Sequence, residues 1–196
     1  MSGPGDTSTP AETHGTVDLR RAALLVIDMQ VFFEEIANPI VPGINRLIET
    51  ARTASRPVIF TRHGHRDLAV DGGVLARWWD YHLAMVDSPP WQIIPDLELR
   101  ADDQIVDKTR YSAFYGTWLE AYLRRTGVEQ VVICGVMTNC CCESTARDAF
   151  MRDLDVFVVA DAMATETRDL HAASLASMAH ACSSVLQVDE LAPGPT

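Results

Sequence analysis

Three consecutive thiols, Cys140, Cys141 and Cys142, stand between an apolar run at 131–136 and a segment at 143–152 whose Ala, Arg and Asp residues suit a helix. Where a strand turns into a helix, unpaired N–H groups and the positive end of the helix dipole stabilise a thiolate. Such a thiol can be a nucleophile. It can equally be a small buried hydrophobe filling a tight corner, which is how free cysteine packs. Two other reactive groups stand in comparable places. Asp28 closes the continuous apolar run 22–27, and Lys108 closes the short run 104–107. An acid there can also cap the next element, and most lysines lie on solvated surface. If the three runs are parallel strands of one sheet, their ends converge on the edge where open α/β sheets bind ligands. Carboxylate, ammonium and thiol then make a nucleophilic site, with Asp28 taking the thiol proton and Lys108 stabilising both anions. The cation and the helix N-terminus predict a thiol pKa below the ordinary value of about 8.5. N–H groups of the 137–141 turn can form an oxyanion hole, worth roughly 3 kcal/mol per donor.

The elements that must position these groups follow from periodicity. Strands are expected at 22–27, 57–61, 104–108, 131–136, 156–162 and 184–188, most of them unbroken apolar runs of the kind covered on both faces. Helices are expected at 41–55, at 118–126 with Thr117 as cap and Gly127 as stop, at 143–152 and at 171–182. The alternation predicts an α/β fold: a single three-layer αβα domain around a central, mostly parallel, doubly wound sheet. Residues 67–95 read as one long irregular connection. It holds three of the four tryptophans, Trp78, Trp79 and Trp91, and suits a wall or lid over a pocket. His63 and His65 follow the second strand; an HxH pair is weak as a metal signature and fits loop histidines lining a pocket better.

Composition bounds the rest. A chain of 196 residues, 47% hydrophobic and 22% charged, is one domain's worth of ordinary globular sequence. The domain is expected over 18–191, with a disordered N-terminal tail at 1–17 and a loose C-terminal tail at 192–196. A formal net charge of −11 argues against nucleic acid and membrane partners and leaves a small-molecule substrate. No apolar run approaches membrane length, and the N-terminus has no apolar core of a secretory signal. Five cysteines, three of them adjacent, do not form a disulfide framework, and a reducing cytoplasm is the expected location.

Three stretches together resemble the isochorismatase-like cysteine hydrolase superfamily, which includes nicotinamidases, N-carbamoylsarcosine amidases, ureidoacrylate and biuret hydrolases and isochorismatases. They are Leu25-Val26-Ile27-Asp28-Met29-Gln30, Lys108 with Arg110-Tyr111-Ser112-Ala113-Phe114, and the tract from Gly135-Val136-Met137-Thr138-Asn139 through the three cysteines to Ala149. The resemblance spans roughly 21–191. It implies catalytic Asp28, Lys108 and Cys141, with Cys140 and Cys142 as packing residues. It further implies a cis peptide between Val136 and Met137, and oxyanion donors at the N–H groups of Met137 and Cys141. The expected substrate pocket draws on Phe33, His63, Trp78, Trp79, Tyr111, Phe114, Thr138 and Asn139. Nicotinamidases bind a metal through an Asp and histidines after the second strand. This chain has His63 where the acid would be, so no metal and no other cofactor is expected. A homo-oligomer, dimer or tetramer, is implied by the family. The implied reaction is hydrolysis of a small amide, ureide or lactam C–N bond through a Cys141 thioester. The alternative is the vinyl-ether cleavage of true isochorismatases, driven by Asp28 without a thiol.

Overall fold

The structure, a computed structural model, describes residues 15–192. In chain order its regular elements are β1 (Ala22–Ile27), α1 (Glu34–Ala37), α2 (Val41–Thr53), β2 (Val58–His63), α3 (Gly73–Trp78), β3 (Gln104–Lys108), α4 (Leu119–Arg125), β4 (Gln130–Val136), α5 (Glu143–Phe150), β5 (Asp155–Ala164), α6 (Arg168–Ala181), β6 (Ser184–Leu186) and α7 (Val188–Leu191). The sheet has six strands in the order β3-β2-β1-β4-β5-β6, and every pairing is parallel. All residues of β1 and of β4 are buried. Because side chains alternate between faces, both faces of the sheet must be covered, and helices supply the cover. On one side α2 packs against α7; elsewhere α5 packs on β5 and α6.

The strand order sets the site. The chain leaves β1 toward β2 and β3, then crosses back to lay β4 on the other side of β1. The C-terminal ends of β1 and β4 therefore flank the switch point, where crevices open in doubly wound sheets. Close approach there depends on Gly135, paired with Ile27 across β1 and β4. Its φ is +113°, and an added Cβ would lie 2.1 Å from the Ile27 carbonyl oxygen.

Several expected boundaries shift. The stretch 67–95 is not irregular throughout: it forms a π-helical turn (Leu68–Gly72), α3, and a 3-10 turn (Pro89–Trp91). Asp67 accepts the Ala69 N–H and starts that run. β5 continues past Asp161, whose carboxylate instead accepts the Val188 N–H at the start of α7. Thr117 accepts the Leu119 N–H and donates to the Ala113 carbonyl, and Gly127, with φ +65°, follows α4. Val17 and Ala192, placed in the tails by sequence, pack against the core. The remainder of both expected tails, 1–14 and 193–196, lies outside the described residues.

Candidate active site

β1 delivers Asp28 at its C-terminal end, fully buried and with a left-handed φ of +47°. Asp is among the few residues that tolerate that region, and strained backbone of this kind clusters at functional sites. Thr61, one strand over on β2, accepts the Asp28 N–H at 3.0 Å and donates to Asp28 Oδ1 at 2.5 Å. β3 delivers Lys108, 3% exposed, whose Nζ lies 2.7 Å from Asp28 Oδ2 and donates to the Arg110 carbonyl at 3.0 Å. Oδ1 is thus committed to a hydroxyl, while Oδ2 faces the ammonium without an aligned hydrogen bond. Burial alone would lower the Lys108 pKa; the Asp28 carboxylate beside it opposes that and holds the ammonium charged.

β4 delivers the thiol. The peptide between Val136 and Met137 is cis. A π-helical turn, Thr138–Cys142, then leads into α5, with the N–H groups of Cys140 and Cys142 both donating to the Met137 carbonyl. Cys141 is 5% exposed and close enough to Asp28 and Lys108 for both to act on its thiol. Here one sequence expectation is overturned. Burial pushes the Cys141 thiol well above its ordinary value, and the Asp28 carboxylate adds to the shift; Lys108 opposes it and loses. The resting site therefore holds a neutral thiol beside a carboxylate, not a preformed thiolate. Cys142 is fully buried in the core, and Cys140, also buried, lies near Tyr111.

Cys141 opens on a cavity of ≈ 340 Å³, the size of a small-ligand site. Met137 and four of the expected pocket residues, Phe33, His63, Trp79 and Tyr111, line it. Trp79 Nε1 donates to the Tyr111 hydroxyl at 2.8 Å and joins two of these walls.

The other four lie elsewhere. Trp78 ends α3, is 76% exposed, and faces a separate surface cavity of ≈ 690 Å³ that also touches Arg110 and Tyr115. Phe114 is buried beneath the Arg152 guanidinium, 4.7 Å from its ring. The Thr138 hydroxyl is turned to His171 Nδ1 at 2.9 Å, and Asn139 Oδ1 accepts from the Thr165 hydroxyl at 2.6 Å. These two brace the elbow against α6 and the β5–α6 connection instead of lining the cavity.

Sequence reasoning passed over Thr61 and Gln30 as site residues. Gln30, fully buried, donates to the His63 and Trp91 carbonyls and accepts the His63 N–H, so it locks the end of β2 to the 89–94 loop. The available signal was a polar residue inside an otherwise apolar strand or directly beyond one. Phe32, Glu35, Ile36 and Glu166 also line the cavity and carried no signal, because their segments meet only in the fold.

The histidines do not make a metal site. His63 and His65 sit ring to ring at 5.1 Å, His65 Nδ1 is bound to Asp71 at 3.0 Å, and the Lys108 ammonium lies close enough to His63 to disfavour positive charge there. Among the described residues no group of three His, Cys, Asp or Glu converges to hold an ion. The donor set here does not fit the metal of the nicotinamidase pattern.

The isochorismatase domain model matches residues 22–190. Nicotinamidase 3 of Arabidopsis thaliana is 40% identical over 172 residues, covering 87% of this chain and 86% of that protein. Enterobactin synthase component B of Escherichia coli (strain K12) is 36% identical over 184 residues, which are 90% of this chain and 64% of that protein. A crystal structure of a cysteine hydrolase from Pseudomonas syringae pv. phaseolicola 1448A superposes with a TM-score of 0.86 at 30% identity, covering 94% of this chain and 96% of that one.

Proposed function

The chain belongs to the isochorismatase family of hydrolases, and from that premise we propose that it hydrolyses the C–N bond of a small amide, ureide or lactam through a thioester on Cys141. The observation that carries this reading is the meeting of three buried groups at one edge of the sheet: the Cys141 thiol, and the Asp28 carboxylate paired to Lys108 at 2.7 Å. On substrate approach the thiol proton passes to Asp28 Oδ2 and the sulfur attacks the carbonyl carbon. The oxyanion that forms is taken by the N–H groups of Met137 and Cys141, and Lys108 stabilises the charge in the site. Collapse breaks the C–N bond, and the proton on Asp28 leaves with ammonia or an amine. A water then gives its proton to Asp28 and attacks the thioester, and that proton returns to sulfur as the acid departs. Similarity to a nicotinamidase and to a cysteine hydrolase supports amide cleavage.

The small-molecule substrate is met by a cavity of matching size. A reducing, cytoplasmic setting fits five buried cysteines, all of them free. A homo-oligomer, dimer or tetramer, fits the exposed apolar residues Val70, Val74, Trp78 and Tyr115.

The test compares two variants on two substrates. Cys141→Ala should lower ammonia release from a panel of small amides by about 10³-fold or more. Asp28→Asn should do the same. If Cys141→Ala retains its rate while Asp28→Asn abolishes pyruvate release from isochorismate, the thioester mechanism is wrong and vinyl-ether cleavage by Asp28 replaces it.

A further inference from the structure

We propose that Tyr111 sets the length of substrate the enzyme accepts: its side chain, tied to Trp79, is the partition between the Cys141 cavity and the larger cavity beside it. The substrate class is then a compact amide or ureide whose substituent ends short of that partition. The proposal deepens the amidohydrolase reading and rests on it.

Tyr111 is the one residue that lines both spaces, the cavity of ≈ 340 Å³ at Cys141 and the surface cavity of ≈ 690 Å³. Its surroundings divide between the two. Trp79 lines the inner cavity and Trp78 the outer one. Cys141 lines the inner cavity, and Ser144, three residues further on at the start of α5, lines the outer one. Three helical residues rise only about 4.5 Å, so little more than one side chain separates the two spaces there. The partition is held from both sides. Trp79 Nε1 donates to the Tyr111 hydroxyl at 2.8 Å. Arg110 donates to the Asp71 carbonyl at 2.9 Å and to the Thr109 carbonyl at 2.6 Å, and the Ser112 hydroxyl donates to Asp148 at 2.5 Å. Both chain neighbours of Tyr111 are thus anchored, and its ring has a tie of its own.

The chemistry beyond the partition decides what would reveal it. Arg110, Ser112 and Asp148 line the outer cavity but are engaged with the protein, Asp148 also by Arg152. The rest of that lining is Ser144 and the apolar Val74, Leu75, Trp78 and Tyr115. A substrate long enough to pass Tyr111 would meet aliphatic and aromatic surface and would desolvate no unpaired charge. The obstacle to an aryl extension in that direction is therefore the Tyr111 side chain itself, and an aryl tail is the probe that reports on it.

The experiment uses the full chain at about pH 8 and measures the rates at which iodoacetamide and N-(biphenyl-4-ylmethyl)iodoacetamide alkylate Cys141. Tandem mass spectrometry separates Cys141 from its neighbours, and each rate is divided by that reagent's rate with glutathione. The wild-type ratio should favour the small reagent by about tenfold or more, and Tyr111→Ala should reduce that preference by about tenfold. Tyr111→Phe keeps the ring and loses only the tie to Trp79, so its ratio should fall between the two. Tyr111→Leu carries the same prediction as Tyr111→Ala if that variant fails to fold. The ratios are repeated with Val74→Glu and Trp78→Glu added, so that a second subunit lying over the outer cavity cannot mask its opening. A wild-type ratio near one, or a ratio that Tyr111→Ala and Tyr111→Leu leave unchanged in both backgrounds, overturns the proposal. Ammonia release from benzamide and para-phenylbenzamide is scored separately. A ratio that shifts without turnover of any amide removes the thioester reading and keeps the partition; turnover with an unmoved ratio does the reverse.

Discussion

At the scale of single residues, the site is a buried acid with each oxygen assigned a different task. Thr61 holds Oδ1 and the Asp28 N–H, and Oδ2, 2.7 Å from the Lys108 ammonium, is the oxygen to which the proposed mechanism gives proton exchange. Thr61→Val keeps the volume and removes both bonds. We expect kcat to fall about 10- to 100-fold, with a stability loss of about 1–2 kcal/mol in urea unfolding; an unchanged kcat would show that Asp28 needs no such anchor. His63 makes a second prediction, in pH. Its folded-state pKa, about 3, lies below its unfolded value of 6.5, so between those limits the unfolded chain binds the extra proton. Stability is untouched by this group above about pH 6.5 and is lost as pH falls toward 3, on the order of 3 kcal/mol by pH 4. His63→Gln should flatten that part of the acid-unfolding curve measured by circular dichroism. A variant curve that parallels the wild type would place the acid sensitivity elsewhere.

At the scale of elements, the geometry depends on how closely β1 and β4 approach at the switch point. Gly135 permits it: the site for a Cβ is filled by the Ile27 carbonyl, and φ +113° is a backbone conformation that side chains resist. Gly135→Ala is expected to destabilise the fold by about 3 kcal/mol or more and to displace Cys141 from Asp28. The measurement is a thermal melt alongside the Cys141 alkylation rate, and wild-type values for both would remove Gly135 from the account. The elbow is also braced from outside. Ser174 on α6 donates to the Thr138 carbonyl at 3.2 Å and to Glu143 at 2.6 Å, and the Ala113 N–H reaches the Thr145 hydroxyl at 3.0 Å. Thus α6 and the 109–117 loop, distant in sequence, fix where the thiol points.

At the scale of the whole molecule, an acidic chain exposes an apolar surface beside its active-site loops. Val70 is 81% exposed and Trp78 76%, unusual for large apolar side chains of a lone subunit. Light scattering after size exclusion should give at least twice the 21.6 kDa chain mass, and Val74→Glu with Trp78→Glu should shift it toward monomer. A monomer at micromolar concentration in the unmodified protein would refute the oligomer. Among the described residues no helix is long and apolar enough to cross a membrane. The strands, their parallel direction and the positions of Asp28, Lys108 and Cys141 were legible in the sequence, because unbroken apolar runs announce buried strands and three of those runs lead to these three groups. The pocket walls were not: Trp78 and Trp79 are neighbours in sequence, yet one faces outward and the other lines the cavity. The thiol's protonation state was not legible either, because it is a balance between burial and two charges from separate strands. Local pattern determined which groups reach the edge of the sheet; only the packed fold decided what surrounds them, since desolvation and side-chain direction depend on segments the chain brings together from far apart.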